Sequence, residues 1–269
     1  MESKEKKSAV KLYTLIILLL LYVAVISFPL SLIPNEYGSK AVGITLKVIF
    51  LIVAFISIKK YGVSELRFLP VKEKKQFLLL PLLVMTFSNW IYVWIFKAPL
   101  KSSVDGGMLT FTIFVTLLTV FCEELLFREI MHDCLKDYIK QDYLRILISA
   151  TLFSLLHFLN VFNGMDIYSV LAQVGYTFVL GLVLGLIKEK GAGLIALISF
   201  HFLFNVLNND LFSVLYNDEW NTEFIVTNII IGVVVIAYGV LMYFLLKVDP
   251  LLFNSKDNNE NEVSNSTHK

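Results

Sequence analysis

The sequence predicts an all-α, polytopic membrane protein with about eight transmembrane helices around an intramembrane polar site, and three observations carry that prediction. First, the 269 residues are 57% hydrophobic and 17% charged, with a mean hydropathy of +0.73, whereas a soluble domain carries roughly a quarter charged residues. Second, the apolar residues fall in runs long enough to cross about 30 Å of hydrocarbon. Third, carboxylates and imidazoles recur inside those runs, where a charge is costly unless paired or wet and is by default a functional-site hypothesis.

The spans read as Leu12–Ile33, Ala41–Ile58, Phe77–Phe96, Met108–Leu135, Tyr143–Phe162, Ile167–Ile187, Ala192–Leu207 and Phe224–Leu246. The first follows a basic arm, Met1–Lys11. Its length exceeds the roughly 7–15 residues of a signal-peptide apolar region, and no small-x-small cleavage site follows, so it reads as a retained span. Pro34-Asn35, Asp105-Gly106-Gly107, Asn163-Gly164 and Asn217-Asp218 supply turn chemistry where runs end. The fourth run is different: it continues through Phe121-Cys-Glu-Glu-Leu-Leu-Phe-Arg-Glu-Ile-Met-His-Asp-Cys134 with no turn residue. Residues 1–253 therefore form a single integral-membrane domain without an internal repeat. The Asn/Ser/Glu-rich stretch 254–269 lacks apolar periodicity and reads as a disordered cytoplasmic tail.

An even number of spans puts both termini on one side. Of the 23 Lys and Arg residues, 19 lie in the termini and the even-numbered loops, and the odd-numbered loops hold only Lys40, Lys97 and Lys101. The positive-inside rule then places both termini in the cytoplasm. Short loops and a Lys/Ile/Asn-rich style point to a bacterial plasma membrane. A formal net charge of +1 gives no global field that would attract nucleic acid. The two cysteines, Cys122 and Cys134, lie too far apart on one helix for a disulfide.

The intramembrane polar groups sit at matched depth. Counted at 1.5 Å per residue from the cytoplasmic ends of their helices, Glu123, His157 and His201 lie roughly 17–21 Å deep. Glu124 and Arg128 are an i,i+4 pair with the glutamate first, the favourable order for a helical ion pair. His201 and Asn205 share a face by the same spacing, as do Phe153 and His157. Each group alone has a plainer account: the carboxylates as the wet start of an interfacial helix, each histidine as a hydrogen-bonded packing residue. Their coincidence at one level favours a shared site, provided the fourth helix continues to about Leu135. Lys47 reads as snorkelling or paired within the bundle, Asn89 as bonded to a neighbouring helix, and His132 with Asp133 as cytoplasmic surface. Gly181-x-x-x-Gly185, with Gly175 before it, reads as a close-packing seam.

A carboxylate, two imidazoles and an amide in a low-dielectric pocket suit water activation. A desolvated carboxylate is a stronger base, and imidazoles either hold a divalent metal or donate to an oxyanion. The matching reaction is hydrolysis of an amide in or beside the membrane. The sequence contains no His-Glu-x-x-His helix, no Gly-x-Ser-Gly nucleophile turn and no pair of intramembrane aspartates.

At Glu123-Glu124-Leu-Leu-Phe-Arg128, Phe153-Ser-Leu-Leu-His157 and His201-Phe-Leu-Phe-Asn205 the chain resembles the CAAX protease and bacteriocin-processing family of intramembrane endopeptidases, also called the Abi family. All three motifs are intact and in order; the first four helices, up to Glu123, match only in being hydrophobic. The resemblance implies an eight-helix fold, a conical cavity between helices and cleavage of a peptide bond near a membrane face. It implies Glu123 as general base, Glu124 as its assistant and Arg128 as the residue orienting the pair. His157, His201 and Asn205 would hold a metal or stabilise the oxyanion. Glu123, His157 and His201 could ligate Zn2+, and a glutamate-activated water without metal fits equally.

Three functions compete. The first is an intramembrane endopeptidase acting on a membrane-associated peptide or lipidated precursor, with peptide maturation favoured because prenylated substrates need a prenylating host. The second is a non-catalytic or self-immunity role of the same family, as in bacteriocin immunity or partnership with a signalling kinase. The third, a small proton-coupled transporter, ranks last because neither an inverted repeat nor broken helices are visible.

Overall fold

Backbone amides and carbonyls find no water in hydrocarbon, so a chain this apolar satisfies them within helices. The computed structural model describes residues 2–69, 86–97, 105–162 and 164–216, with isolated helical positions between 226 and 237, and has no strand among them. Five of its helices are long and apolar enough to span a membrane.

Helix α1 runs over Glu2–Ile26 and α2 over Glu36–Tyr61. The first starts earlier than its apolar run, because the Glu- and Lys-rich arm is itself a good helix former. It also ends seven residues before the expected Ile33: Pro29 carries no amide to continue the ladder, and Leu30–Leu32 forms a short 3-10 turn instead. Asn35 caps α2 by accepting from the Tyr37 amide, and Gly62, at φ +59°, closes it in the left-handed conformation that glycine adopts freely. Helix α3, Ser88–Phe96, is the described part of the expected third span. The rest of that span, the eighth span Phe224–Leu246 apart from isolated helical positions, and the tail 254–269 lie outside the described residues.

Helix α4 is continuous over Gly106–Lys136, 31 residues, so it passes through the glutamate pair as the sequence requires. Asp105 caps it by accepting from the Met108 amide at 3.0 Å, and that bond, with the Tyr37 hydroxyl, holds the exposed Asp105 carboxyl below the usual carboxylate range. From Glu124 to Met131 the helix widens into a π segment before returning to α geometry. Every residue from Cys122 to His132 is buried, and a helix buried all round occupies the centre of a bundle. Leu15, Leu18 and Tyr22 of α1, Phe50 and Ala54 of α2, and Phe153 and Leu194 from later helices close on it.

Helix α5, Asp142–Leu155, tightens into a 3-10 turn at Leu156–Val161, and α6 follows over Ile167–Glu189. These two pack closely because two glycines make room: a Cβ at Gly181 would sit 3.0 Å from Ala150, and one at Gly185 would sit 3.0 Å from Ile146. Gly175 faces open space and is not part of the seam. Helix α7 covers Leu194–Asn205 and runs on through a second π segment, Val206–Asp210, to a last turn at Leu211–Leu215. Its first amides, of Leu194 and Ile195, donate to the carbonyls of Arg67 and Phe68 at 2.7 and 3.3 Å. The chain approaches so closely here that a Cβ at Gly193 would lie 2.4 Å from the Phe68 oxygen. Asn89 and Trp90 of α3 donate to the Asn208 and Leu207 carbonyls of the π segment, so Asn89 bonds a neighbouring helix as expected.

A further expectation is corrected. His132, read as cytoplasmic surface, is 1% exposed. It lies in a buried ionic layer where Lys188 pairs with Glu129 and Arg145 pairs with Glu189 at 2.7 Å. Asp133 beside it accepts from the Ser64 hydroxyl and from Lys136, each at 2.8 Å. The π segment ends against these partners, so the last turns of α4 are covered rather than wet.

Candidate active site

Five helices and one aromatic ring position the polar residues. Glu123 and Glu124 stand where α4 changes from α to π geometry. Single turns of π-helix cost hydrogen-bond quality and concentrate at functional sites. Glu124 and Arg128 are fully buried. The Glu124 Oε1 atom accepts from His201 Nδ1 at 2.7 Å and lies 3.3 Å from Arg128 Nη1, an ion pair without hydrogen-bond geometry. The guanidinium is held instead over the Phe153 ring, 4.2 Å from its centroid, a desolvated cation–π contact. Phe153 also meets the rings of His157 and His201 edge-on, at 5.1 and 5.7 Å. One phenylalanine therefore sets the guanidinium and both imidazoles relative to one another.

Glu123 has a different environment. Its Oε1 accepts from the Tyr22 hydroxyl of α1 at 3.0 Å, and its Oε2 lies 3.7 Å from His201 Nε2. That gap is beyond a direct hydrogen bond and suits a bridging water. Glu123, His157, His201 and Asn205 all line a cavity of about 180 Å³, room for several waters. Glu124 and Arg128 stand behind its wall. The six residues singled out in the sequence thus form two groups: four that face the cavity and two that support them.

The ring nitrogens can be assigned from their partners. His157 Nδ1 lies 3.1 Å from the Phe153 carbonyl, which only accepts, so Nδ1 carries the proton. Glu124 Oε1 likewise only accepts, so His201 Nδ1 carries the proton it donates. In the neutral rings both Nε2 atoms therefore present lone pairs, and Asn205 supplies the amide donor. This donor set is chemically suitable for zinc, but its spacing is not: among the described residues no group of three His, Cys, Asp or Glu side chains is placed to hold a metal ion.

Sequence reasoning missed several cavity residues, Tyr22, Asn160 and Gln173 among them. Tyr22 was one polar tip in an apolar run, and Asn160 and Gln173, joined by a 2.7 Å hydrogen bond, line the far wall. Asn160 lies three residues beyond His157, a helical spacing that could have drawn attention to it.

Residues 105–207 match the family model described as type II CAAX prenyl endopeptidase, Rce1-like. No curated protein matches the chain. The matched segment runs from the cap of α4 to just beyond Asn205, and it contains all three motifs.

Proposed function

We propose that this integral membrane protein, whose residues 105–207 match the family model described as type II CAAX prenyl endopeptidase, Rce1-like, hydrolyses a peptide bond in a membrane-associated peptide or protein precursor. The observation that carries the proposal is the cavity inside the bundle, which brings the Glu123 carboxylate, two imidazoles and the Asn205 amide around one small volume.

The chemistry follows from these groups. Glu123 takes a proton from a water held between its Oε2 and the imidazole nitrogens, and the water oxygen attacks the scissile carbonyl carbon. The oxyanion that forms accepts from the Asn205 amide. Glu123 returns the proton to the departing amine as the C–N bond breaks, so the carboxylate ends as it began. Tyr22 fixes one carboxylate oxygen and leaves the other to the water. Glu124 fixes the tautomer and orientation of His201, as a carboxylate partner does for a catalytic imidazole, while Arg128 offsets its charge.

The test is comparison of membrane peptides, by mass spectrometry, from cells making the native chain or Glu123→Gln. Uncleaved precursor should accumulate with the variant, and unchanged processing overturns the proposal. A Glu123→Ala, His201→Ala double variant that keeps full biological effect would place the role in a non-catalytic partnership. Metal analysis of the purified chain with and without both histidines decides the cofactor.

A further inference from the structure

Part of the cavity wall comes from α6, which carries none of the three motifs. The polar side chains outside the motifs are not alike in what they offer the cavity. The Thr177 hydroxyl of α6 donates to the Gln173 carbonyl at 2.7 Å, and on α4 the Thr119 hydroxyl donates to the Val115 carbonyl at 2.9 Å. Bonded back to their own helices, these hydroxyls have no proton left to give. Asn160 and Gln173 differ: their side chains bond each other at 2.7 Å, and among the described residues neither side chain has a second partner.

A primary amide carries two N–H donors and one accepting oxygen. The bond between the two side chains uses one hydrogen and one oxygen, so whichever way round the amides are set, an acceptor remains on one residue and donors on the other. Both residues are half-buried and face the cavity, and polar groups within a membrane bundle are costly unless they have work to do. Their spacing indicates what they fit. His157 and Asn160 stand in one 3-10 turn, Leu156–Val161, where residues three apart eclipse and lie about 6 Å from each other along the axis. An extended chain turns its N–H and C=O groups to the same edge at every second residue, about 7 Å apart.

We propose that Asn160 and Gln173 form a backbone-binding subsite, which pairs with the N–H and C=O of the substrate residue two positions from the scissile bond and holds the substrate extended. The subsite rests on the protease reading of the same cavity. Its acceptor and donor stand in for a neighbouring strand, giving the backbone partners in place of the water it loses on entering the bundle. A helical segment cannot use the pair, because its N–H and C=O groups are already bonded to one another. Recognition here is therefore of an unwound chain and is indifferent to side-chain identity at that position.

The test uses the full Glu123→Gln chain, purified in detergent, and a pool of short acetylated peptides of random apolar sequence, with retained peptides measured by mass spectrometry against detergent alone. Adding Gln173→Leu or Asn160→Leu should lower retention about tenfold, the effect of one or two neutral hydrogen bonds. Adding Thr177→Val, which removes a hydroxyl bonded to its own helix, should leave retention unchanged. A matching pool with esters at alternate links lacks those N–H donors and should be retained about tenfold less by Glu123→Gln itself, a comparison that needs no further variant to fold. Equal retention of the two pools, equal retention by Gln173→Leu and Asn160→Leu, or no retention at all overturns the subsite. Incubating retained peptides with the native chain separates the two readings. Peptides held through the amide pair but left whole overturn the protease reading alone; peptides cleaved equally by the native, Gln173→Leu and Asn160→Leu chains overturn the subsite alone.

Discussion

Two regions of the bundle hold buried carboxylates among cations and imidazoles, only a few helical turns apart on α4, yet they are built to opposite ends. Around Glu129, Lys188, His132, Arg145 and Glu189 the charges are directly opposed, and Arg145 adds bonds to the Ile139 and Lys140 carbonyls at 2.8 and 3.0 Å. Around Glu123 the carboxylate is tied at one oxygen only, and the space beside it is a cavity. Pairing charges in close contact holds helices together and leaves nothing to react. Holding a carboxylate at one oxygen beside a wet volume sacrifices that cohesion and leaves a basic atom free. The same residue types serve as fastening in one place and chemistry in the other, and the difference is the volume beside them.

Substitution should separate the two regions. Glu123→Gln should lower cleavage by about 10²- to 10⁴-fold, the usual worth of a general base, while thermal unfolding in detergent stays unchanged. Lys188→Met should do the reverse: leaving Glu129 buried without its cation should destabilise the fold by about 3–5 kcal/mol. A double Glu129→Gln, Lys188→Met variant should recover part of that loss. If Lys188→Met unfolds like the native chain but stops cleavage, the ionic layer is part of the chemistry and the contrast fails. Gly181→Val should cost about 1–3 kcal/mol by overpacking, because its Cβ meets Ala150 backbone that has nowhere to move. It should also weaken cleavage, since the 3-10 turn that continues α5 carries His157.

The sequence made the site's membership legible better than its surroundings. Glu123, His157, His201 and Asn205 could be grouped because helical rise converts residue number into depth, and that conversion tolerates an end-point error of a few residues. Continuity of α4 past the glutamates was legible from the absence of a turn residue. The π segments were not. Where Asn89 and Trp90 donate to the Asn208 and Leu207 carbonyls, the π segment has partners from another helix, and no local pattern encodes those. His132 looked wet because a histidine beside an aspartate at a helix end resembles a surface; it is buried by Arg145 and Glu189, from other helices. Gly175 was read into the seam by proximity in sequence, although only Gly181 and Gly185 meet α5.

Tyr22 offers the finest test of the contrast, because it touches the chemistry through one hydrogen bond from a helix that bears no motif. It is 1% exposed, and its ring packs on Phe50 with centroids 5.2 Å apart, so Tyr22→Phe keeps the packing and removes only the hydroxyl. A hydrogen bond to a charged acceptor is worth about 1.5–3 kcal/mol, but Glu123 borders the cavity and water can replace part of the loss. Cleavage should therefore fall about tenfold, which corresponds to about 1.4 kcal/mol in the barrier, with kcat reduced and KM unchanged. Tyr22→Leu, which also removes the ring, should in addition destabilise the fold. If Tyr22→Phe instead raised KM at constant kcat, the hydroxyl would be a substrate contact, and Glu123 would owe its orientation to α4 alone.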